Sequence, residues 1–227
     1  EKRQAVISHA VTKGLDPSVP MKDSGVEWLG EVPAHWHART FRRCVEVEEG
    51  QVDPEVAPYD QMALIAPNHV ESGTGRLLAL ETAADQGAES GKYLCRTGDV
   101  VYSKIRPALR KACLAPEPCL CSADMYALRA HSGLDNRYLL WFILSECFSA
   151  WAVVESQRVA MPKINRESLA EVVVTLPPIR EQAAIATFLD RETAKIDALI
   201  ANATSAIALL KERRAALISA AVTGQID

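Results

Sequence analysis

The chain has 227 residues, 48% apolar but only 6% aromatic, with a formal net charge of −4 at pH 7. That length suits one large domain, or a domain with an extension, filled by aliphatic side chains. No uninterrupted apolar run reaches the roughly 18 residues of a membrane span, the six cysteines lack any CxxC pair and read as free thiols of a reducing cytoplasm, and the scattered histidines form no metal-binding or nucleophile-activating pattern.

Residues 1–12 read as the end of a helix, stopped by Gly14 and kept from continuing by Pro17 and Pro20. Residues 17–38 form a linker rich in turn formers, with Trp28 and Trp36 as buried anchors that pin it to a surface. From Arg39 to Leu176 the pattern is mixed and strand-rich. Short β-compatible runs fall at 61–66, 99–103, 112–114, 125–128 and 172–176, with glycines and prolines between them. Residues 136–155 hold no Gly or Pro and carry apolar side chains every three or four positions, which predicts one helix. After Pro177-Pro178, residues 180–223 are again free of Gly and Pro. As one helix this stretch would run about 66 Å. The architecture expected is α+β: a globular mixed domain over 39–176, then a long helical segment over 177–227.

Leu189, Ile196, Ala203, Leu210 and Leu217 recur every seventh position of that helix, and Leu199, Ile200, Ala206 and Ile207 widen the seam. Such a stripe demands a partner helix. The simplest is a sister helix, from a second copy of the unit or a second chain; a hairpin folding back near Asn202–Ser205 is the other solution. The chain ends also match each other. EKRQAVISHAVTKGLD (1–16) aligns without a gap on ERRAALISAAVTGQID (212–227), nine of sixteen positions being identical. So long a period is no solenoid. It reads as one copy of a large duplicated unit that keeps the tail of the preceding copy at residues 1–16.

Charge is unevenly spread. Residues 45–90 carry ten acids and one base, Arg76, whereas 91–130 carry seven bases and three acids. A local basic face, not the whole-chain sum, governs phosphate binding. Lys104, Arg106, Arg110 and Lys111 cluster around Pro107, able to neutralise phosphates or to meet a guanine edge. Arg158, Lys163, Asn165 and Arg166 form a second polar cluster, with the nearby Gln157 and Asn165 amides suited to adenine. Asn68 and Arg76 flank a third, Gly-rich loop. Taken alone, each cluster is equally a solvated loop. No methyl-donor Gly loop, adenine-methylase motif, metal site or catalytic pairing is present in the sequence.

Three segments, VEWLGEVPAHW (26–36), GDVVYSKIRPALRKACLA (98–115) and LPPIREQAAIATFLDRETAKIDALI (176–200), followed by LISAAVTGQID (217–227), closely resemble the DNA-specificity subunit of type I restriction-modification systems. The resemblance implies a second target-recognition domain over 39–176 and a conserved helix over 177–227 that pairs antiparallel with its sister. It implies a non-catalytic, cytoplasmic chain that reads half of a bipartite duplex target. Its partners would be double-stranded DNA, methyltransferase subunits using S-adenosylmethionine and restriction subunits using ATP and magnesium, with no cofactor of its own. A half-subunit of this kind would dimerise through the long helix. The alternative is a coiled-coil interaction protein that does not touch DNA.

Overall fold

The structure, a computed structural model, describes residues 1–157 and 162–224. It falls into two units, Glu1–Leu189 and Asp190 onward. In chain order the elements are α1 (Lys2–Lys13), β1 (Met21–Asp23), β2 (Glu31–Pro33), β3 (His37–Thr40), β4 (Val45–Val47), β5 (Gln51–Val52), β6 (Leu64–Ile65), β7 (Lys92–Cys95), β8 (Val100–Ser103), β9 (Ala112–Leu114), β10 (Cys119–Cys121), β11 (Met125–Ala130), α2 (Asn136–Leu144), α3 (Glu146–Ser156), α4 (Arg166–Glu171), β12 (Val173–Leu176) and α5 (Ile179–Val222). This is the α+β architecture expected.

The first unit centres on a sheet of order β4-β11-β8-β9, whose pairs are all antiparallel. Successive side chains of a strand leave on opposite faces. Val100 and Tyr102 of β8 and Tyr126 and Leu128 of β11 therefore enter one core, with α1, α2, α3 and the start of α5. Val101, Met125 and Ala127 enter the other, against Cys95, Cys119 and Cys121 of a second sheet ordered β5-β7-β10-β6. Burial on both faces explains why these strands read as unbroken apolar runs. All six cysteines are free thiols, and five of them are buried. Desolvation raises Cys44 to about 11 and Cys113 to about 12.

Residues 136–155 are not one helix. Ser145 takes an extended backbone, ends α2 and caps α3, accepting the Phe148 N–H at 3.3 Å and donating to the Phe142 carbonyl at 2.6 Å. The axes of α2 and α3 differ by 64°. A serine hydroxyl able to satisfy helix-end groups breaks a helix without Gly or Pro. The bend sets Phe142 and Trp151 against Trp28 and Phe148 against both of them, with Phe142 and Phe148 rings 5.9 Å apart edge to face. Trp36 is fully buried and Trp28 partly so, as anchors should be.

The Leu-Pro-Pro-x-x-Glu-Gln segment roots α5 in the first unit. Glu181 accepts from the Trp36 indole and meets His35 Nε2, both at 2.7 Å. The Gln182 side chain, fully buried, accepts the Asp135 N–H at 2.8 Å and donates to the carbonyls of Gly133 (2.7 Å) and Pro177 (2.8 Å). Each buried polar group there has its partner, as a low-dielectric site requires. Helix α1 is held in the same unit. Ile7, Ala10 and Val11 lie in the core, and the hydroxyls of Tyr138 and Thr175 converge on the Val11 carbonyl.

The second unit is the rest of α5, which stays one helix to Val222 with no hairpin at 202–205. Its apolar side chains face solvent: Leu199, Ile200, Ile207, Leu210 and Leu217 are each 50–67% exposed. Ala203 is exposed and Ile196 half-buried. Leu189, expected on the pairing seam, is instead a fully buried core residue of the first unit. The repeat shares local geometry, since Thr12 and Thr223 each donate to the carbonyl four residues back, at 2.7 and 2.8 Å. Its surroundings differ, because Ile218 and Val222 are exposed where Ile7 and Val11 are buried. One window of 18 residues in α5 averages a hydropathy of 1.3, enough by composition alone for a membrane span. The heptad spacing of its large side chains is that of a helix-pairing seam.

Candidate nucleic-acid interface

The three polar clusters, far apart in sequence, meet at the loop after β8. Ile105 forms a bridge with Lys163, the Lys104 carbonyl accepts the Ile164 N–H at 2.9 Å, and the Arg106 N–H reaches the Pro162 carbonyl at 3.4 Å. On the other side the Lys111 ammonium donates to the Pro67 carbonyl at 2.6 Å, and the Gly73 N–H donates to the Arg110 carbonyl at 3.0 Å. Segments 67–76, 104–111 and 162–166 thus form one surface. Arg158 lies outside the described residues.

The loop is backbone-strained. Arg106 and Arg110 both sit in the left-handed region, at φ 49°, bracketing a short 3₁₀ turn over Pro107–Leu109. Each costs a non-glycine residue about 1–2 kcal/mol, so other contacts must fix it. Arg110 supplies them: its guanidinium meets Glu146 at 2.5 Å and Ser149 at 3.0 Å, tying the loop to α3.

The expected contact residues separate into two groups. Arg110 and Lys111 are spent on the fold. Asn165 caps α4, accepting the Ser168 N–H at 2.7 Å. Arg166 donates to the Glu48 carbonyl (2.6 Å) and the Val47 carbonyl (3.4 Å) and pairs with Glu49 at 3.3 Å. Its guanidinium lies 5.7 Å from the Tyr93 ring centre and 5.5 Å from that of Tyr126. Arg76 pairs with Glu71 at 2.9 Å, and the Thr74 hydroxyl and that guanidinium hold the Glu71 carboxyl below the usual range. Lys104, Arg106 and Lys163 have no carboxylate partner among the described residues, and Asn68 is exposed with its amide unbonded there. The Lys104 ammonium rests 5.2 Å from the Tyr126 ring centre.

The tyrosines beneath these cations escape sequence reading. Tyr126 lies near Lys104 and Arg166 only through strand pairing, and its hydroxyl donates to the Ile164 carbonyl at 3.0 Å. Burial pushes that hydroxyl's pKa up, partly offset by Arg166. The acidic stretch is also explained in part. Glu46 and Glu48 surround Arg129, and Glu49 binds Arg166, so three of the ten carboxylates of that stretch sit on structural arginines. No group of three or more His, Cys, Asp or Glu fit to hold a metal ion occurs among the described residues.

Residues 61–207 match the family described as the type I restriction modification DNA specificity domain. Over 198 residues the chain is 31% identical to the type I restriction enzyme EcoDI specificity subunit of Escherichia coli, an overlap of 87% of this chain and 44% of that protein. The EcoBI specificity subunit of the same organism is 27% identical over 110 residues, 48% of this chain and 23% of that one. The chain spans less than half the length of these curated relatives. Among solved structures, the HsdS subunit from Thermoanaerobacter tengcongensis superposes with a TM-score of 0.59 at 17% identity, covering 88% of this chain and 44% of that one. A structure described as showing complex assembly and conformational transition of the type I R-M system gives 0.62 at 19% identity, covering 93% and 49%. At those identities the structural likeness speaks for the fold.

Proposed function

This chain belongs to the type I restriction modification DNA specificity family, and we propose on that basis that it reads one half of a bipartite duplex target without catalysing any reaction itself. One observation carries the reading. Two loops remote in sequence converge on residues 104–111 and leave Lys104, Arg106 and Lys163 without an acidic partner among the described residues. Cations with no internal counter-charge on one surface are what a phosphate backbone requires, through counterion release.

Helix α5 is the second component. Its exposed apolar stripe supports pairing with a sister helix, and a paired rod of fixed length sets the separation of two readers, hence the unread gap between half-sites. Where the sister helix comes from a second copy of this chain, the pair would prefer a palindromic bipartite site. Around it we place methyltransferase subunits, which use S-adenosylmethionine, and restriction subunits, which use ATP and magnesium, in a cytoplasmic assembly. This chain supplies specificity and scaffold to them.

Selection of bound duplexes from a random pool, by this chain with its methyltransferase partner, tests the whole. A recovered motif with a fixed internal gap is the expected result. No enrichment, with salt-insensitive behaviour, overturns it in favour of a coiled-coil interaction protein. Lys104 and Lys163 provide the electrostatic check. Replacing both by alanine should weaken duplex binding for all sequences and make the slope of log K against log salt shallower by about two units. An unchanged slope removes this surface from the interface.

A further inference from the structure

Resting on that reading, we propose that Asn68 and Arg106 are the two side chains that specify bases, Asn68 an adenine and Arg106 a guanine, while their polar neighbours only build or charge the surface. Arg110, Lys111, Asn165 and Arg166 already serve the fold through the bonds described above. Lys104 and Lys163 are point charges, able to hold a phosphate but lacking a planar donor pair. Within segments 67–76, 104–111 and 162–166, Asn68 and Arg106 are the residues whose planar groups, with adjacent hydrogen-bonding atoms, are exposed and unbonded among the described residues.

Both line one recess of about 180 Å³, between the 67–69 turn and the loop after β8. Its walls are cross-tied by contacts of the fold itself. The Lys111 ammonium ties the two loops together at the Pro67 carbonyl. The Ser103 hydroxyl donates to the Ile105 carbonyl at 3.0 Å. The Arg110–Glu146 pair, with Arg110's bond to Ser149, keeps the turn in its strained form. Strain held by over-determined contacts is a mark of a functional position, and Arg106, exposed at φ 49°, is one of the two strained residues. A pre-set donor loses less freedom on contact than a mobile one. In the major groove an arginine fork matches guanine O6 and N7, and an asparagine amide matches adenine N6 and N7.

Duplex selection is repeated with the full chain and its methyltransferase partner, comparing the unaltered protein with Asn68→Ala, Arg106→Ala and Arg106→Lys. Arg106→Ala should erase the preference at one G·C pair, and Asn68→Ala at one A·T pair, each by about 5- to 150-fold. Arg106→Lys keeps the charge and loses the fork, so it should not restore the guanine. Both side chains being exposed, urea midpoints should stay unchanged. Uniform weakening across all sequences, rescue by Arg106→Lys, or an unaltered motif in both alanine variants overturns the assignment and leaves the specificity reading standing. A pool from which even the unaltered protein recovers no motif ends both.

Discussion

Arg129→Ala is expected to destabilise the first unit by about 3–5 kcal/mol, the cost of stranding a buried carboxylate. Asp99 is 2% exposed, and Arg129 grips it from β11 with Nε and Nη2 at 3.0 and 2.8 Å. The Arg96 N–H adds a third bond at 2.8 Å. The hydrogen bond to Asp99 is the main cause that raises the Arg129 pKa, so the guanidinium stays charged throughout the accessible pH range. Asp99 also anchors the turn into β8, the strand that delivers the candidate interface loop. The urea midpoint should therefore fall at nearly unchanged m, and duplex binding with it. Glu46→Ala removes a carboxylate that is 58% exposed from the same arginine. It should cost under about 1 kcal/mol. Equal losses from the two variants would contradict the assignment of the energy to Asp99.

Placing glutamate at both Ile207 and Leu210 is expected to abolish pairing through α5. Their exposures of 54% and 63% leave most of each side chain to be covered by a partner. Two copies bury four such groups, each contributing about 0.8–1.9 kcal/mol once the full-burial value is scaled to the exposed share. Losing them and adding like charges should raise a dimer dissociation constant more than about a thousandfold. Sedimentation reads the change directly, and the urea midpoint of the first unit should not move. Persistence of the dimer would place the contact elsewhere. With a monomer, the selected target should shrink from two half-sites to one.

Much of this organisation was legible in the amino-acid order, and the failures share a cause. The long helix was plain because 44 residues without Gly or Pro leave little choice. Its exposed seam followed from heptad spacing, but Leu189 did not, since periodicity does not say which turn a core already covers. The helix over 136–155 broke at Ser145 because a hydroxyl can compete for helix-end bonds, a signal weaker than Gly or Pro. At the candidate interface the three loops were identified separately by composition, whereas their meeting was not. Charge also misled. Arg110, Lys111 and Arg166 look like phosphate ligands in sequence, yet their partners Glu146, Pro67, Glu48 and Glu49 stand 36–118 residues away. Local patterns do not encode which cations the fold itself consumes.

The five enclosed sulfurs have a practical consequence. Cys44, Cys95, Cys113, Cys119 and Cys121 lie sealed inside the first unit, and a thiol shielded from solvent resists electrophiles. Reagent can reach those in the inter-sheet core only when the layers separate, so the rate at which successive labels appear becomes an intrinsic clock for breathing of the head. Half-covered Cys147, beside the α2–α3 bend, should tick first. Mass spectrometry of a timed alkylation would then rank the opening of each layer with no foreign probe, and would register whether gripping a duplex quiets the motion.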